Sequence, residues 1–392
     1  MNLCKIANST IEEIKSAISA GADVNARDDI ANTPLMNARS YEIIEILVKA
    51  GADVNARNNN GETAMWWRKS LKEITALVKA GADINARDND GFTILSFVES
   101  PKRIRMLVAA GADVNSKDNH GQTQLMRAEN PKAIEALVKA GADINARDDD
   151  GKNAMWWRKS LNAITALVRA GVDINARDNN GFNVLTFEKS PKIVEMFVKA
   201  GIDVNSKDNQ GMTALMWAQN QEVVKELVKA GADVNAIDQS GQTALMHSDS
   251  LGIMAALLDA GADPNICDEF GKTALMKADS SIKIDLLVKA GADVDAFDND
   301  GVTVLMYAVS KRRKPETILT LLKAGANWRF KDSLGRTAYD HAKTMLENAE
   351  TDISYKLCLE RVKIFRQHCF MYFTHNPWAY LKEILEKWFC GI

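Results

Sequence analysis

Ten positions spaced 30 residues apart carry the side chains best suited to chemistry in this chain: Asn37, Trp67, Phe97, Arg127, Trp157, Phe187, Trp217, His247, Lys277 and Tyr307. Six of these are aromatic, although aromatic residues make up only 7% of the sequence. Large rings and arginine are the side chains that anchor protein interfaces, because they bury much area at little conformational cost. Arg68, Lys69, Arg158, Lys159 and Lys189 lie beside the rings, so the column interleaves stacking platforms with positive charge. That pattern also holds nucleotides or single-stranded nucleic acid. Glu99, Glu129, Glu188 and Asp249 share the neighbourhood and weaken the field. The chemistry expected is therefore binding, by Trp67, Arg68, Phe97, Arg127, Trp157, Arg158, Phe187, Trp217, His247 and Tyr307. A second reading stands beside it: rings at this spacing fill the seam between neighbouring elements, as Trp66 and Trp156 are expected to do.

Signals of catalysis are missing. The sequence has no phosphate-binding Gly-x-x-x-x-Gly-Lys-Ser/Thr, no Gly-x-Ser-x-Gly and no His-Glu-x-x-His. His120, His247, His341, His368 and His375 are isolated, and His368 beside Cys369 would point away from it on a helix. Acidic runs such as Asp148, Asp149 and Asp150 lack the closing bidentate Glu of a calcium loop and read as solvated turns. No enzyme activity, metal or cofactor is expected.

The elements that position the column are set by a repeat. GADVNA at 21 returns every 30 residues as GADVNA, GADINA, GADVNS and close variants to GADVDA at 291, then slips by four to GANWRF at 325. Residues 88–117 show the unit. Ser100 can N-cap a helix, Pro101 suits its first position, and Ile104, Leu107 and Val108 share one face. Gly111 can close that helix in the left-handed conformation, and Lys79, Lys139 and Lys229 put positive charge at equivalent helix ends. Ser70 and Glu73 have capping-box spacing, as do Thr10 and Glu13. ARDNDG at 86 reads as a projecting turn, and TALM at 213 as a helix of two turns at most. Such a unit cannot cover its own apolar side and must stack.

Asp-x-x-Gly-x-Thr-x-Leu followed by Gly-Ala-Asp-Val-Asn resembles the ankyrin repeat family, with Thr33, Pro34 and Leu35 at three of the family's Thr-Pro-Leu-His positions. The resemblance covers about residues 1 to 350. It implies an all-α fold: an ankyrin-repeat solenoid of about twelve stacked helix-turn-helix units with projecting turns, on the order of 100 Å long at 8–10 Å per helix layer, plus C-terminal capping helices. It also implies a non-catalytic scaffold that binds a protein partner along its concave face and turn tips. Two departures stand out. Three residues of the family unit are missing between the helices, which predicts a tighter corner and altered curvature. The family's His is replaced by Met at 36, 126, 216, 246, 276 and 306 and by Trp at 66 and 156, which predicts loss of its bond to the Thr.

Residues 61–150 and 151–240 are close copies, with MWWRKS at 65 returning at 155, so like faces recur every 90 residues. Recent duplication accounts for this, and so does an elongated ligand. The division expected is an N-terminal capping repeat at 1–26, the repeat array at 27–350 and a C-terminal helical cap at 351–392. In the last segment Trp378, Leu381, Ile384, Leu385, Trp388 and Phe389 line one side of a helix opened by Asn376-Pro377, either docked on the last repeats or recruiting a further partner. A net charge of -3 gives no global attraction to phosphate or anionic lipid. Five scattered cysteines argue against a disulfide framework, and no eighteen-residue apolar run or secretory leader is visible. The protein is expected to be a cytoplasmic monomer without a membrane span, with secretion through other signals left open.

Overall fold

The computed structural model describes residues 3, 10–310, 313–347 and 363–364. Among them no strand occurs; five isolated bridges, Lys117 with Thr123 being one, are the only extended pairings. Most repeats pair a four-residue helix with one of nine residues, as in Ala214–Trp217 followed by Gln221–Lys229, but turns at 94–97 and 184–187 stand in for the short helix before Pro101–Ala109 and Pro191–Lys199. Capping accounts for where the long helices begin. Ser70 accepts the amide of Glu73 while the Glu73 carboxylate accepts the Ser70 amide, and Thr10 and Glu13 do the same before Ile11–Ser19. Pro101 opens Pro101–Ala109 behind its cap Ser100. Gly111, at φ +100°, ends that helix and donates to the Val108 carbonyl at 3.0 Å.

A four-residue helix has no internal stability to speak of, since every one of its backbone groups is terminal. It persists because its Leu is buried between layers, Leu35, Leu125 and Leu215 being almost wholly covered, and because its ends find partners. Three residues, Ala218 to Asn220, suffice to reach the long helix, with Ala218 extended at φ -62° and ψ 126°. The expected loss of the bond to Thr needs correcting at two repeats. The Met36 and Met306 sulfurs accept the Thr33 and Thr303 amides at 3.4 Å, a thioether standing in as a weak acceptor. At Thr93 the Ser96 hydroxyl takes that place.

Successive repeats are joined by two ladders of hydrogen bonds. The Asn of each GADVN motif accepts the amide of the next repeat's Asp and donates to the next repeat's Gly carbonyl: Asn55 to Asp83 and Gly81, Asn85 to Asp113 and Gly111, Asn115 to Asp143 and Gly141. At the turn tips a backbone amide meets the carbonyl one repeat earlier, as Asn89 with Asn60 and Asn119 with Asp90. The tips therefore form a hydrogen-bonded edge. Gly91 shows how close they come: φ is +84°, and a Cβ there would lie 2.7 Å from the Asn119 amide nitrogen.

The chain divides into two compact units, one of Met1–Val184 with Met196–Asp203 and the other of Leu185–Glu195 with Val204–Ile392. In the first unit the core is an unbroken series of fully buried Ile and Leu from the long helices, such as Ile44, Leu77, Ile104, Leu137 and Leu167. In the second the same positions hold Val224, Leu227, Leu257, Ile284, Leu287 and Leu321. The expected C-terminal cap at 351–392 lies, apart from residues 363–364, outside the described residues.

Candidate partner-binding surface

The column residues share one address, the fourth residue of the short helix or of the turn that replaces it, but they meet two fates. Where the side chain can donate a hydrogen bond, it is usually tied back to the Asp that opens its own turn, nine residues earlier. Trp217 Nε1 donates to Asp208 at 3.0 Å, His247 Nε2 meets Asp238 at 2.8 Å, and the Tyr307 hydroxyl donates to Asp298 at 2.6 Å. Arg127 pairs with Asp118, and Lys277 lies 3.4 Å from Asp268. These five are half-buried. His341 repeats the pattern on Asp332 at 3.0 Å, a member of the series that the column reading missed.

The other rings have no such tether. Trp67, Phe97, Trp157 and Phe187 are 41%, 58%, 39% and 53% exposed. Each keeps more than a third of its surface open to solvent. Phe cannot donate, and in the Trp67 repeat the turn residue is Asn58, whose amide is taken by Asn32 and Glu62. Trp66 and Trp156, expected in the seam, are half-buried. In the first unit the Arg127 guanidinium lies 4.5 Å from the Phe92 ring and 5.8 Å from the Phe97 ring, and the two rings meet edge-on at 4.7 Å. In the second, Phe187 meets Trp217 edge-on at 5.5 Å, and Trp217 and His247 border one hollow of about 570 Å³. Tyr307 joins neither group.

Two expected members leave the surface. Arg68 and Arg158 are 2% and 4% exposed. Arg68 donates from Nη1 to the Ala38 carbonyl at 2.6 Å, from Nη2 to the Met36 carbonyl at 2.8 Å and from Nε to the Ala64 carbonyl at 2.9 Å. Arg158 binds Ala128, Met126 and Ala154 in the same way. The physical reason is the orphaned carbonyls at the end of the preceding short helix, which a planar guanidinium fork satisfies together. Burial pushes both guanidinium groups below their ordinary pKa. The Arg68 and Arg158 amides bond the Met65 and Met155 carbonyls, and Ala64–Trp67 and Ala154–Trp157 are 3-10 turns. The remaining exposed cations beside the rings are Lys69, Lys159 and Lys189.

At two turns the tether lowers the pKa of the carboxylate that it meets. Burial opposes ionisation of Asp118 and of Asp238, but the Gln122 amide and Arg127 outweigh it for the first, and the Gln242 amide and His247 for the second, so both stay below the usual carboxylate range. Asp148 is also buried but accepts no side-chain hydrogen bond from its column residue, Trp157, among the described residues. Burial holds it above that range despite the amides of Lys152 and Asp150. Nothing in this geometry activates a nucleophile, and no group of three or more His, Cys, Asp or Glu among the described residues could hold a metal ion. Likewise no helix of the described residues is long and apolar enough to cross a membrane.

Stacked pairs of short and long helices, joined by hydrogen-bonded turns and presenting one variable residue per repeat, define a repeat protein. A profile of ankyrin repeats in three copies matches residues 1–88, 67–148, 152–238, 183–265 and 243–332, and the chain belongs to the ankyrin repeat family. Ankyrin repeats are in general protein–protein interaction modules, and the fold is typically non-catalytic. Similar solved structures include the ankyrin repeat domain of Bcl-3, titled a unique member of the IkappaB protein family, at 23% identity and TM-score 0.46, covering 53% of this chain and 99% of that one. EF0377, an ankyrin repeat protein, is 26% identical with TM-score 0.40, covering 46% and 92%. No curated protein matches.

Proposed function

We propose that this chain is a non-catalytic scaffold whose first unit holds a protein partner on Trp67, Phe97 and Trp157. The observation that carries this is the contrast within one column. Arg127, Trp217, His247, Lys277 and Tyr307 are folded back onto turn carboxylates, whereas these three rings stand exposed at equivalent places and make no hydrogen bond among the described residues. Exposed aromatic surface recurring on a rigid frame is what interface anchors look like before a partner covers them. The hydrogen-bonded turn tips beside the column supply a firm edge, and the free thiol of Cys267 on one of them suits a reducing cytoplasm.

The nucleic-acid reading loses support from Arg68 and Arg158, whose charges face backbone carbonyls. A further adaptor role for residues 376–389 concerns residues outside the described ones. Affinity capture with the Trp67→Ala/Trp157→Ala double variant tests the proposal. The captured protein partner should bind at least about thirtyfold more weakly, the effect of losing a hot spot of ~2 kcal/mol, with little change in melting temperature. Unchanged capture, or a nucleic acid released by salt as the sole captured species, would sink it.

A further inference from the structure

The hollow bordered by Trp217 and His247 has a composition unlike the ring column of the first unit. Its volume, about 570 Å³, is in the range of specific ligand sites. Met212, Met216 and Ile253 line it with buried apolar surface, and thioethers adapt to the shape of what they touch. The hydrogen-bonding edges of Trp217 and His247 are taken by Asp208 and Asp238, so these two residues offer the hollow mainly ring surface. At the rim stands Asp249, fully exposed. Its nearest cation, Lys283 Nζ, is 3.8 Å away and sits closer, at 3.1 Å, to Asp279.

Thioether, aliphatic and ring surface, with Gln219, Ser248 and Ser250 as further polar members of the lining, under a solvent-facing carboxylate selects a long aliphatic stem that ends in a cation. We propose that this hollow receives an arginine or lysine side chain of a protein partner, its methylenes against Met212, Met216 and Ile253, its charge between the Trp217 ring and Asp249. A phosphate-bearing ligand is repelled by the same carboxylate. The inference deepens the scaffold reading at Trp217 and His247 but is tested without any captured partner, so the two can fail separately.

The probe is the capped pentapeptide acetyl-Gly-Gly-Arg-Gly-Gly-amide, with norleucine in place of Arg as the uncharged control. Both are titrated into the full chain carrying 13C-methyl methionine, with the Met212 and Met216 signals assigned through Met212→Leu and Met216→Leu. The Arg peptide should shift both methyls. Asp249→Asn should weaken its binding about two- to fivefold, the range of a solvent-exposed ion pair. Asp249 is wholly exposed, so the substitution leaves folding intact, which an unchanged methyl spectrum without peptide verifies. No methyl shift at millimolar peptide, equal binding of the norleucine peptide, indifference to Asp249→Asn, or the same shifts from a single-stranded oligonucleotide would each overturn the proposal.

Discussion

At the turn tips of nearly every repeat a glycine sits in the left-handed region, Gly61, Gly91 and Gly121 among them, but in the first of these turns the residue is Ala31, at φ +63°. Its amide still donates to the Asp28 carbonyl at 2.9 Å, so the turn closes as the others do and Ala31 carries the strain that its Cβ imposes there. Ala31→Gly should therefore raise stability, by up to about 1 kcal/mol once the greater freedom of glycine in the unfolded chain is subtracted. Urea unfolding reads this directly. A lower midpoint would mean that the tip is held in place by contacts of the Ala31 methyl. The same turn geometry explains why column residues share a fate with the Asp nine positions before them. The Asp caps its own turn through one oxygen, as Asp118 does for the amides of His120 and Gln122, and turns the other toward the column.

The short helices exist through their neighbours, and Arg68 carries much of that dependence. Replacing it by Met keeps the buried stem but leaves the Met36, Ala38 and Ala64 carbonyls without their donors in a place water does not reach. Arg68→Met should destabilise by about 2–4 kcal/mol, the cost of orphaning buried acceptors. Trp67→Ala, one residue away, should cost far less. Equal losses in thermal unfolding would show that Trp67 belongs to the core after all. This pair also marks where the sequence was legible. The Ser70–Glu73 and Thr10–Glu13 caps, Pro101 and Gly111 are local features, involving residues within about one turn, and each is found where the pattern puts it. The Asn ladder joins residues 26 and 28 apart, and the Arg68 bonds span 30 and 32, so neither leaves a local trace. An arginine after an exposed Trp reads as surface until the preceding helix end is brought against it. The column itself was half legible. Its address could be read from the spacing, but the division into tethered and bare rings depends on which donor reaches the turn Asp.

Across the molecule, the turn carboxylates link that division to acid. Asp332, buried and bonded to the Arg336 amide, Arg336 and His341, is held down to about 2, and Asp118 and Asp238 also lie below their ordinary value. A carboxylate depressed in the folded state stabilises it above the unfolded value of roughly 3.8, and that contribution is lost as the pH falls through the folded one. Stability should thus drop between about pH 4 and pH 2. Asp148 has the opposite sign. Raised by burial, it is ionised at neutral pH at a cost to the folded state, and the cost disappears as it takes up a proton. The Trp67 repeat already carries the uncharged alternative: Asn58 stands where Asp148 does, and its Oδ1 accepts the Asn60 and Glu62 amides just as Asp148 accepts those of Asp150 and Lys152. Asp148→Asn should therefore raise the urea midpoint at pH 7, with an advantage that fades below the raised pKa, whereas Asp118→Asn should lower the midpoint at pH 7 and match the wild type near pH 2. Midpoints measured from pH 7 to pH 2 for the three proteins decide the matter, since identical pH profiles for the two variants would mean that the column tether, present at Asp118 and missing at Asp148, does not govern the charge of the turn.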